Sequence, residues 1–527
     1  MHKHDTNTFV RGALLLALAG FISKVLSAGY RIPLQNLTGD IGFYIYQQVY
    51  PILGIATALA LYGFPAAVSK IAAEKRAAGK TLSFANFFAP VGMILFVFNG
   101  AIFLMLWTQA DIFAEWIGDR RLVPAYKLAG FIFLLLPLPA ILRGWFQAQE
   151  DMKPTAFSQV IEQLVRVGII ITAAIWIAKG NADLYHIASA AGIAAICGGA
   201  AAVIVLFTFY RRSKMPPAVT ITEKIDWNGY FHSILLFGIV QALTHMVLLI
   251  IQFADTFTLL PGLMDHGFSK LEAMEEKGIF DRGQPLIQFG MVMGSSFALA
   301  LVPNMAKSRL QEHETVFMES VRTALSVGFY IAAGASIGLI LLFPEINLLL
   351  YRDVSGTYSL QFLMLAVVLS SLAITGSSIL QALGYVKQTA IFILIAFICK
   401  WAANHVFVVW WGITGSALAT VLALALLCIL VMSGLKQRLR GFSWVRQIYW
   451  QAFFTASLVM AGFIFLCKHL FPHMDTLARW QQFCLLMPVI AAGALLYGGV
   501  LVKMRAFSQK ELEMLPFVSR FYRNKHD

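Results

Sequence analysis

The sequence predicts an all-α, polytopic membrane protein of about fourteen transmembrane helices, built as two pseudo-symmetric six-helix lobes with two further helices behind them. Three observations predict it. Of 527 residues 59% are hydrophobic and 13% charged, with a mean hydropathy of +0.73, whereas soluble chains carry about 25% charged residues. The apolar residues fall in continuous runs, and a bilayer core takes about 20 residues as helix. Part of the chain also repeats itself at a fixed offset. A soluble enzyme or a nucleic-acid-binding protein of this length needs a far more charged surface.

The spans fall near 9–30, 42–66, 84–107, 122–146, 156–178, 184–209, 231–260, 285–305, 320–343, 359–383, 389–411, 413–435, 451–471 and 482–502. The polar start Met1 to Thr8 leads into a run interrupted by Lys24, which reads as a first transmembrane helix and not a cleaved signal peptide. Runs that are continuously apolar, without alternation, exclude a β-barrel. Pro137 and Pro139 hint at a break in the fourth span. Ser269 to Lys277 is rich in acids and helix formers and reads as a short surface helix. Cys197, Cys399, Cys428, Cys467 and Cys484 lie in apolar runs without metal or disulfide spacing and read as small core residues.

With the N-terminus inside, 24 Lys and Arg residues fall in cytoplasmic segments and 10 in outer loops. The positive-inside rule then places both termini in the cytoplasm. Most of the net charge of +13 is thus topology. The tail 503–527, with charges of both signs between apolar residues, reads as an interfacial helix on the inner leaflet.

Gln147-Ala148, Lys153 and Thr155-Ala156 recur as Gln381-Ala382, Lys387 and Thr389-Ala390, each 234 residues on. The same offset places Arg166 on Lys400. A looser echo links Pro65 and Lys70 with Pro303 and Lys307. This divides the chain into a first lobe at 1–210, a basic linker at 211–230, a second lobe at 231–435, two further helices in 436–502, and the tail. Six helices per lobe give both lobes one orientation, so their pseudo-twofold axis lies along the membrane normal.

An ionisable side chain at bilayer depth costs about 2.5–3.5 kcal/mol on insertion scales, so it faces a partner or a wet cavity. Lys24 lies mid-span. Glu162 and Arg166 share one helical face four residues apart, as a self-satisfied pair or as part of a site. Lys400 has no carboxylate three or four residues away and must find a partner across helices or line water. Asp255 pairs with a first-lobe cation or binds a coupling ion. Arg31 snorkels to the outer interface or joins the cavity. Lys127, Arg143 and Arg322 also lie within or at the ends of spans. Before the eighth span, Asp281, Arg282, Gln284 and Gln288 either present polar groups to a lumen or reduce to a capping Asp281 and a solvated Arg282. Surplus cations between two lobes suit an anionic substrate, and phosphate pairs well with Arg and Lys. There is no glycine loop followed by Lys-Ser/Thr, no His-Glu-x-x-His and no paired-Cys motif, so neither ATPase activity nor a metal or other cofactor is expected. His245 and His405, the histidines well inside spans, read as hydrogen-bonded core residues.

The chain resembles the multidrug/oligosaccharidyl-lipid/polysaccharide exporter superfamily, in particular the polysaccharide-biosynthesis or SpoVB-like proteins and the MurJ-type lipid II flippases. The resemblance covers all fourteen spans. It is carried by Ser23-Lys24-Val25-Leu26 with Arg31 and Gly39, by Gly63-Phe64-Pro65 with Ser69-Lys70, by Asp281-Arg282-Gly283-Gln284-Pro285, and by Gln381-Ala382-Leu383-Gly384 with Lys387. It implies a V-shaped pair of lobes in a bacterial plasma membrane that alternates between inward- and outward-open states, with a charged central cavity for a lipid-linked sugar headgroup. Lys24 matches a family cavity arginine in the first helix, and Arg282, after Asp281, matches another at the head of the eighth. In MurJ-type members the last two helices form a groove for the polyprenyl tail. The chain departs from those members after Pro51, where Ile52-Leu53-Gly54-Ile55-Ala56 stands in place of an arginine pair.

The resemblance and the cations together lead to the expectation of a flippase, not an enzyme. Its substrate would be an undecaprenyl-pyrophosphate-linked oligosaccharide or a cell-wall precursor such as lipid II. Lys24, Arg31, Arg166, Arg282 and Lys400 would bind it, with Asp255, Glu162, Asp281, Gln284 and Gln288 supporting them or coupling an ion. The partners are that glycan, membrane lipids and a coupling Na+ or H+, with no nucleic acid, in a monomer. A cation-coupled drug antiporter predicts an acidic, aromatic-lined cavity instead. A non-transporting envelope-assembly scaffold predicts that every deep charge is paired.

Overall fold

The computed structural model describes residues 3–77, 87–213, 226–295, 314–439, 442–470 and 476–507. The end of the eighth span with Pro303 and Lys307, most of the basic linker, and the tail beyond Phe507 lie outside the described residues. Among those described, the secondary structure is helix without strands, and eleven helices are long and apolar enough to cross a membrane. These eleven account for thirteen of the expected spans, because Leu18–Arg76 and Val386–Arg438 each carry two. Both long helices are folded at glycine, which adopts positive φ without steric cost. Gly39 sits at φ 70° between the first two spans, and Gly412 at φ 56° between the eleventh and twelfth. The protein is an all-α polytopic membrane protein.

By packing, the chain forms two compact units, Met1–Pro285 with Val386–Ala419, and Leu286–Tyr385 with Thr420–Asp527. The first unit opens with α1 (Lys3–Gly29) and α2 (Arg31–Ala58), which runs through a π-helical turn, Leu59–Gly63, into α3 (Phe64–Ala77). At Gly63 a β-carbon would stand 2.5 Å from the Gly238 carbonyl oxygen, so the two backbones touch here. Next come α4 (Ala89–Thr108) and α5 (Ala110–Ile117). The fourth span is α6 (Val123–Leu135) and α7 (Pro137–Ala148), separated at Leu136. Pro137 has no N–H to continue the ladder, so the predicted break is present.

α8 (Lys153–Ala178) and α9 (His186–Arg212) pack tightly where Gly198 of α9 meets the Glu162 backbone, while Gly192 and Gly199 bring α9 against α6. After α10 (Trp227–Phe231), a second π-helical segment, His232–Phe237, leads to α11 (Gly238–His245), α12 (Val247–His266) and α13 (Lys270–Asp281). α13 is the predicted helix, but it is exposed only over its first turn and at Glu275 and is buried from Lys277 to Asp281. Its start is fixed by a capping box, in which the Ser269 hydroxyl accepts from the Glu272 N–H and the Glu272 carboxylate from the Ser269 N–H.

In the second unit, α14 (Glu314–Leu341), α15 (Phe343–Tyr351), α16 (Thr357–Leu363) and α17 (Leu365–Ala382) precede α18 (Val386–Arg438), whose later part belongs here. α19 (Trp450–Leu470) and α20 (Arg479–Lys503) are the last two spans. The Tyr497 ring lies over Gly334, and its hydroxyl donates to the Tyr330 carbonyl at 3.0 Å, which docks α20 on α14. Arg479 donates to the Leu349 and Leu350 carbonyls, both at 2.8 Å.

The cysteines correct one expectation. Only Cys428 is buried, and Cys197 and Cys484 are exposed. A lipid-facing surface is as apolar as a core, so an apolar run does not distinguish inside from outside.

Candidate functional site

Two groups of deep charges stand in the first unit, and they differ in balance. The first centres on Glu162 of α8. Arg143 of α7 donates to one carboxylate oxygen at 2.8 Å, and Arg166 to the other at 2.9 Å. Arg143 has no exposed surface, and it also donates to the Ser158 hydroxyl at 3.2 Å and the Ala60 carbonyl at 3.3 Å. Ala60 lies in the π-helical turn, where the wider ladder leaves a carbonyl for a side chain. Arg166 donates in addition to Thr57 at 3.0 Å. A β-carbon on Gly198 would stand 2.8 Å from the Glu162 carbonyl oxygen, so glycine on α9 is what lets α8 sit this close.

Lys24 adds a third cation nearby. Gly20 and Lys24 are one turn apart and share a face of α1. A β-carbon on Gly20 would lie 3.8 Å from the Gln159 amide nitrogen and 3.9 Å from the Tyr62 hydroxyl. That face therefore looks onto α8 and the π-helical turn. Tyr62 stacks on His245 with ring centroids 4.1 Å apart, and His245 stands in the field of Lys24. Lys24 itself is half-buried and makes no ion pair or hydrogen bond among the described residues. Two arginines thus meet one carboxylate, and Lys24 stands on the face of α1 that looks onto the same helix. Arg166 Nε, Gln163 Nε2 and Gln159 Oε1 are buried and have no hydrogen-bond partner among the described residues.

The second group is neutral. Lys400, with no exposed surface, reaches Asp255 of α12 at 2.8 Å. It also donates to the Ser416 carbonyl and hydroxyl oxygens, both at 2.9 Å. Lys400 and Ser416 are 16 residues apart on α18, which would separate them by about 24 Å in an unbroken helix. The reversal at Gly412 brings them together, with Gly415 against the Phe407 carbonyl. Of the two routes open to Lys400 in the sequence, it has taken the partner across helices. Asp255 pairs with this span-eleven cation, not with one from the first lobe.

A third set of charges locks α13 in place. Arg282, 1% exposed, is bidentate on Asp40 of α2, one of its bonds measuring 2.7 Å. At Gly278 a β-carbon would stand 2.1 Å from the Asp40 carbonyl oxygen, so only glycine allows this docking. Lys277 holds Asp281 at 2.9 Å. Asp281 therefore meets a lysine one turn earlier, and Arg282 is not solvated. At the other end of α13, Lys270 binds the buried Asp119 at 3.1 Å, and Asp119 also accepts from Tyr185 at 2.7 Å. Gln284 accepts from Gln252 at 2.6 Å, and Gln288 is half-buried. Arg31 does not reach the interface by snorkelling. It is 1% exposed, with its guanidinium 3.9 Å above the Tyr50 ring. His405 is exposed and bonds the Trp401 carbonyl at 2.9 Å.

Sequence reasoning passed over Arg143, Asp40 and Lys277. Arg143 was findable, since Pro139, Ala140, Phe146 and Gln147 give it no carboxylate on its own helix, the test that singled out Lys400.

Residues 9–309 match the family described as polysaccharide biosynthesis protein. The chain is 33% identical over 98% of its length to the membrane protein YabM of Bacillus subtilis (strain 168), covering 97% of that protein. It is 24% identical to the lipid II flippase MurJ of the same organism, over 79% of this chain and 80% of the other. Among solved structures, MurJ in an inward closed conformation superposes with a TM-score of 0.67 at 14% identity, covering 93% of this chain and 99% of that one. An inward-facing multidrug resistance MATE transporter gives 0.60 at 14% identity, over 79% of this chain and 94% of that one. At these identities the structural likeness shows the fold alone. The chain belongs to the polysaccharide biosynthesis protein family, within the multidrug/oligosaccharidyl-lipid/polysaccharide exporter superfamily.

Proposed function

We propose that the protein is a flippase that carries an undecaprenyl-pyrophosphate-linked oligosaccharide or cell-wall precursor across the plasma membrane by alternating access, with both termini cytoplasmic. The observation that carries this reading is the charge imbalance around Glu162. Arg143 and Arg166 share one carboxylate, Lys24 lies on the face of α1 that looks onto α8, and donors on Arg166 and Gln163 are left unused. Holding such a surplus near the bilayer interior is costly unless an anion completes it. A pyrophosphate does so with charge-assisted hydrogen bonds, and its own desolvation would otherwise be prohibitive. A drug antiporter needs the opposite sign here.

Arg31 and Arg282 extend the same reading. Arg282 exchanges Asp40 for a phosphate oxygen when α13 lifts, and Arg31 contributes once it leaves Tyr50. Lys400 is committed to Asp255 and is not part of the proposed substrate contacts. In the second unit, Leu342, Ile464, Leu485, Leu486 and Val489 line a pocket rimmed by the Glu345–Lys468 pair, whose separation is 2.9 Å. This apolar surface beside the last two spans is the proposed contact for the isoprenoid tail.

The test is a leaflet-access assay in proteoliposomes with defined lipid-linked glycans. Wild type translocates at least one of them, and Lys24→Ala and Arg166→Gln lose most of that rate while remaining folded. Equal rates in all three proteins sink the residue assignment, and inactivity of wild type on every glycan sinks the function.

A further inference from the structure

Asp255 and Ser416 hold the Lys400 ammonium with oxygen, and Asn404 and Thr258 stand behind Asp255. All five residues are at most 4% exposed. The three ammonium donors meet a carboxylate oxygen, a backbone carbonyl and a hydroxyl at 2.8, 2.9 and 2.9 Å. The same carboxylate oxygen accepts from the Ser416 hydroxyl at 2.9 Å and from the Asn404 amide at 2.8 Å. Asn404 also donates to the Thr258 hydroxyl at 2.7 Å. The other carboxylate oxygen, Asp255 Oδ2, and the Asn404 carbonyl oxygen are buried and bonded to nothing among the described residues.

A carboxylate alone would leave two of the three ammonium donors unmet. One turn of α12 and both arms of the hairpin at Gly412 supply the remaining oxygens and the bonds behind them. Hard oxygen ligands of mixed type with one negative charge suit a small cation. A single carboxylate balances a single positive charge, so the matching guest is monovalent.

We propose that these oxygens form a cage for one small monovalent cation, and that Lys400 fills it with a cation covalently tethered to the chain. This chain therefore takes up no inorganic ion at Asp255. Removing the lysine side chain vacates the cage and turns it into a site for sodium or a small alkylammonium ion. The inference stands on the geometry of the cage and does not depend on the lipid-linked substrate.

The experiment measures the apparent Tm of the purified full-length protein in choline, sodium and methylammonium chloride at equal ionic strength. Wild type has one Tm in all three salts. Lys400→Ala has a lower Tm in choline, and sodium or methylammonium raises it saturably by about 2–4 °C, as expected of a ligand that binds only the folded state. Asp255→Asn combined with Lys400→Ala loses that response. Three results overturn the proposal. The first is a gain in wild type specific to sodium, and the second is a folded Lys400→Ala chain indifferent to both cations. The third is a double variant that folds beside a Lys400→Ala chain that no cation rescues.

Discussion

Arg166 and Lys400 occupy equivalent positions 234 residues apart, yet their surroundings have diverged. Arg166 shares Glu162 with Arg143, so its neighbourhood carries excess positive charge and unused donors. Lys400 has Asp255 to itself, and all its donors are spent within a closed cage. The repeated sequence carries a cation at both positions, but the partners that other helices supply decide what it does. On the proposed reading, surplus charge marks the place that takes the substrate. Balanced charge marks a joint that holds helices together.

The sharpest way to break this contrast is to delete each cation in turn. Lys400→Met leaves Asp255 buried and uncompensated, which costs about 3–5 kcal/mol of stability. Adding Asp255→Asn to the same chain restores most of it, and denaturant or thermal unfolding of the three proteins reads this directly. If Lys400→Met is as stable as wild type, the joint is no joint.

A smaller effect is expected at the third balanced pair. Gly278→Ala drives a β-carbon into the Asp40 backbone and overpacks the contact by about 1–3 kcal/mol. It lifts α13 and weakens the Arg282–Asp40 pair, measurable as faster proteolysis or hydrogen exchange across 270–285. Unchanged protection there would show that this docking is not a closed joint.

Arg166→Gln is the counterpart in the unbalanced group. Glu162 keeps Arg143, so stability changes by less than about 1.5 kcal/mol. Translocation falls about 10–100-fold, the worth of a charge-assisted hydrogen bond. A large stability loss with no transport defect would move Arg166 into the same class as Lys400.

The smallest effect belongs to an exposed pair. The Tyr185 N–H and the Arg121 guanidinium hold the Asp183 carboxyl below its ordinary range. A depressed carboxyl stabilises the fold above the unfolded value, about 3.9, and that contribution fades as pH falls through the folded one. The Tm difference between wild type and Asp183→Asn should therefore be slight near neutrality and vanish in acid, as solvent screening dictates. A difference as large as that at Lys400 would remove the distinction between surface and interior pairs.

Local rules made part of this legible. Glu162 and Arg166 meet because four residues is one helical turn. The break after Leu136 follows from Pro137, and α13 from its run of acids and helix formers. The two six-helix lobes rest on the repeat alone, and the packing units draw their boundaries elsewhere. The other pairings were not legible, because their partners are distant in sequence. Asp40 and Arg282 stand 242 residues apart, and neither position carries a local sign of the other. Arg143 was visible as a span cation, but its role follows from α7 crossing α8 and from the carbonyl freed at Ala60.

By itself the sequence determined the solvent and the local geometry. Scarce charge in runs of bilayer length leaves helix as the spanning structure, since lipid offers no hydrogen bonds to an open backbone. Tertiary structure decided which cations are satisfied. A buried charge is settled by the nearest carboxylate in space, and the close helix contacts at Gly198 and Gly278 and the reversal at Gly412 fix which carboxylate that is.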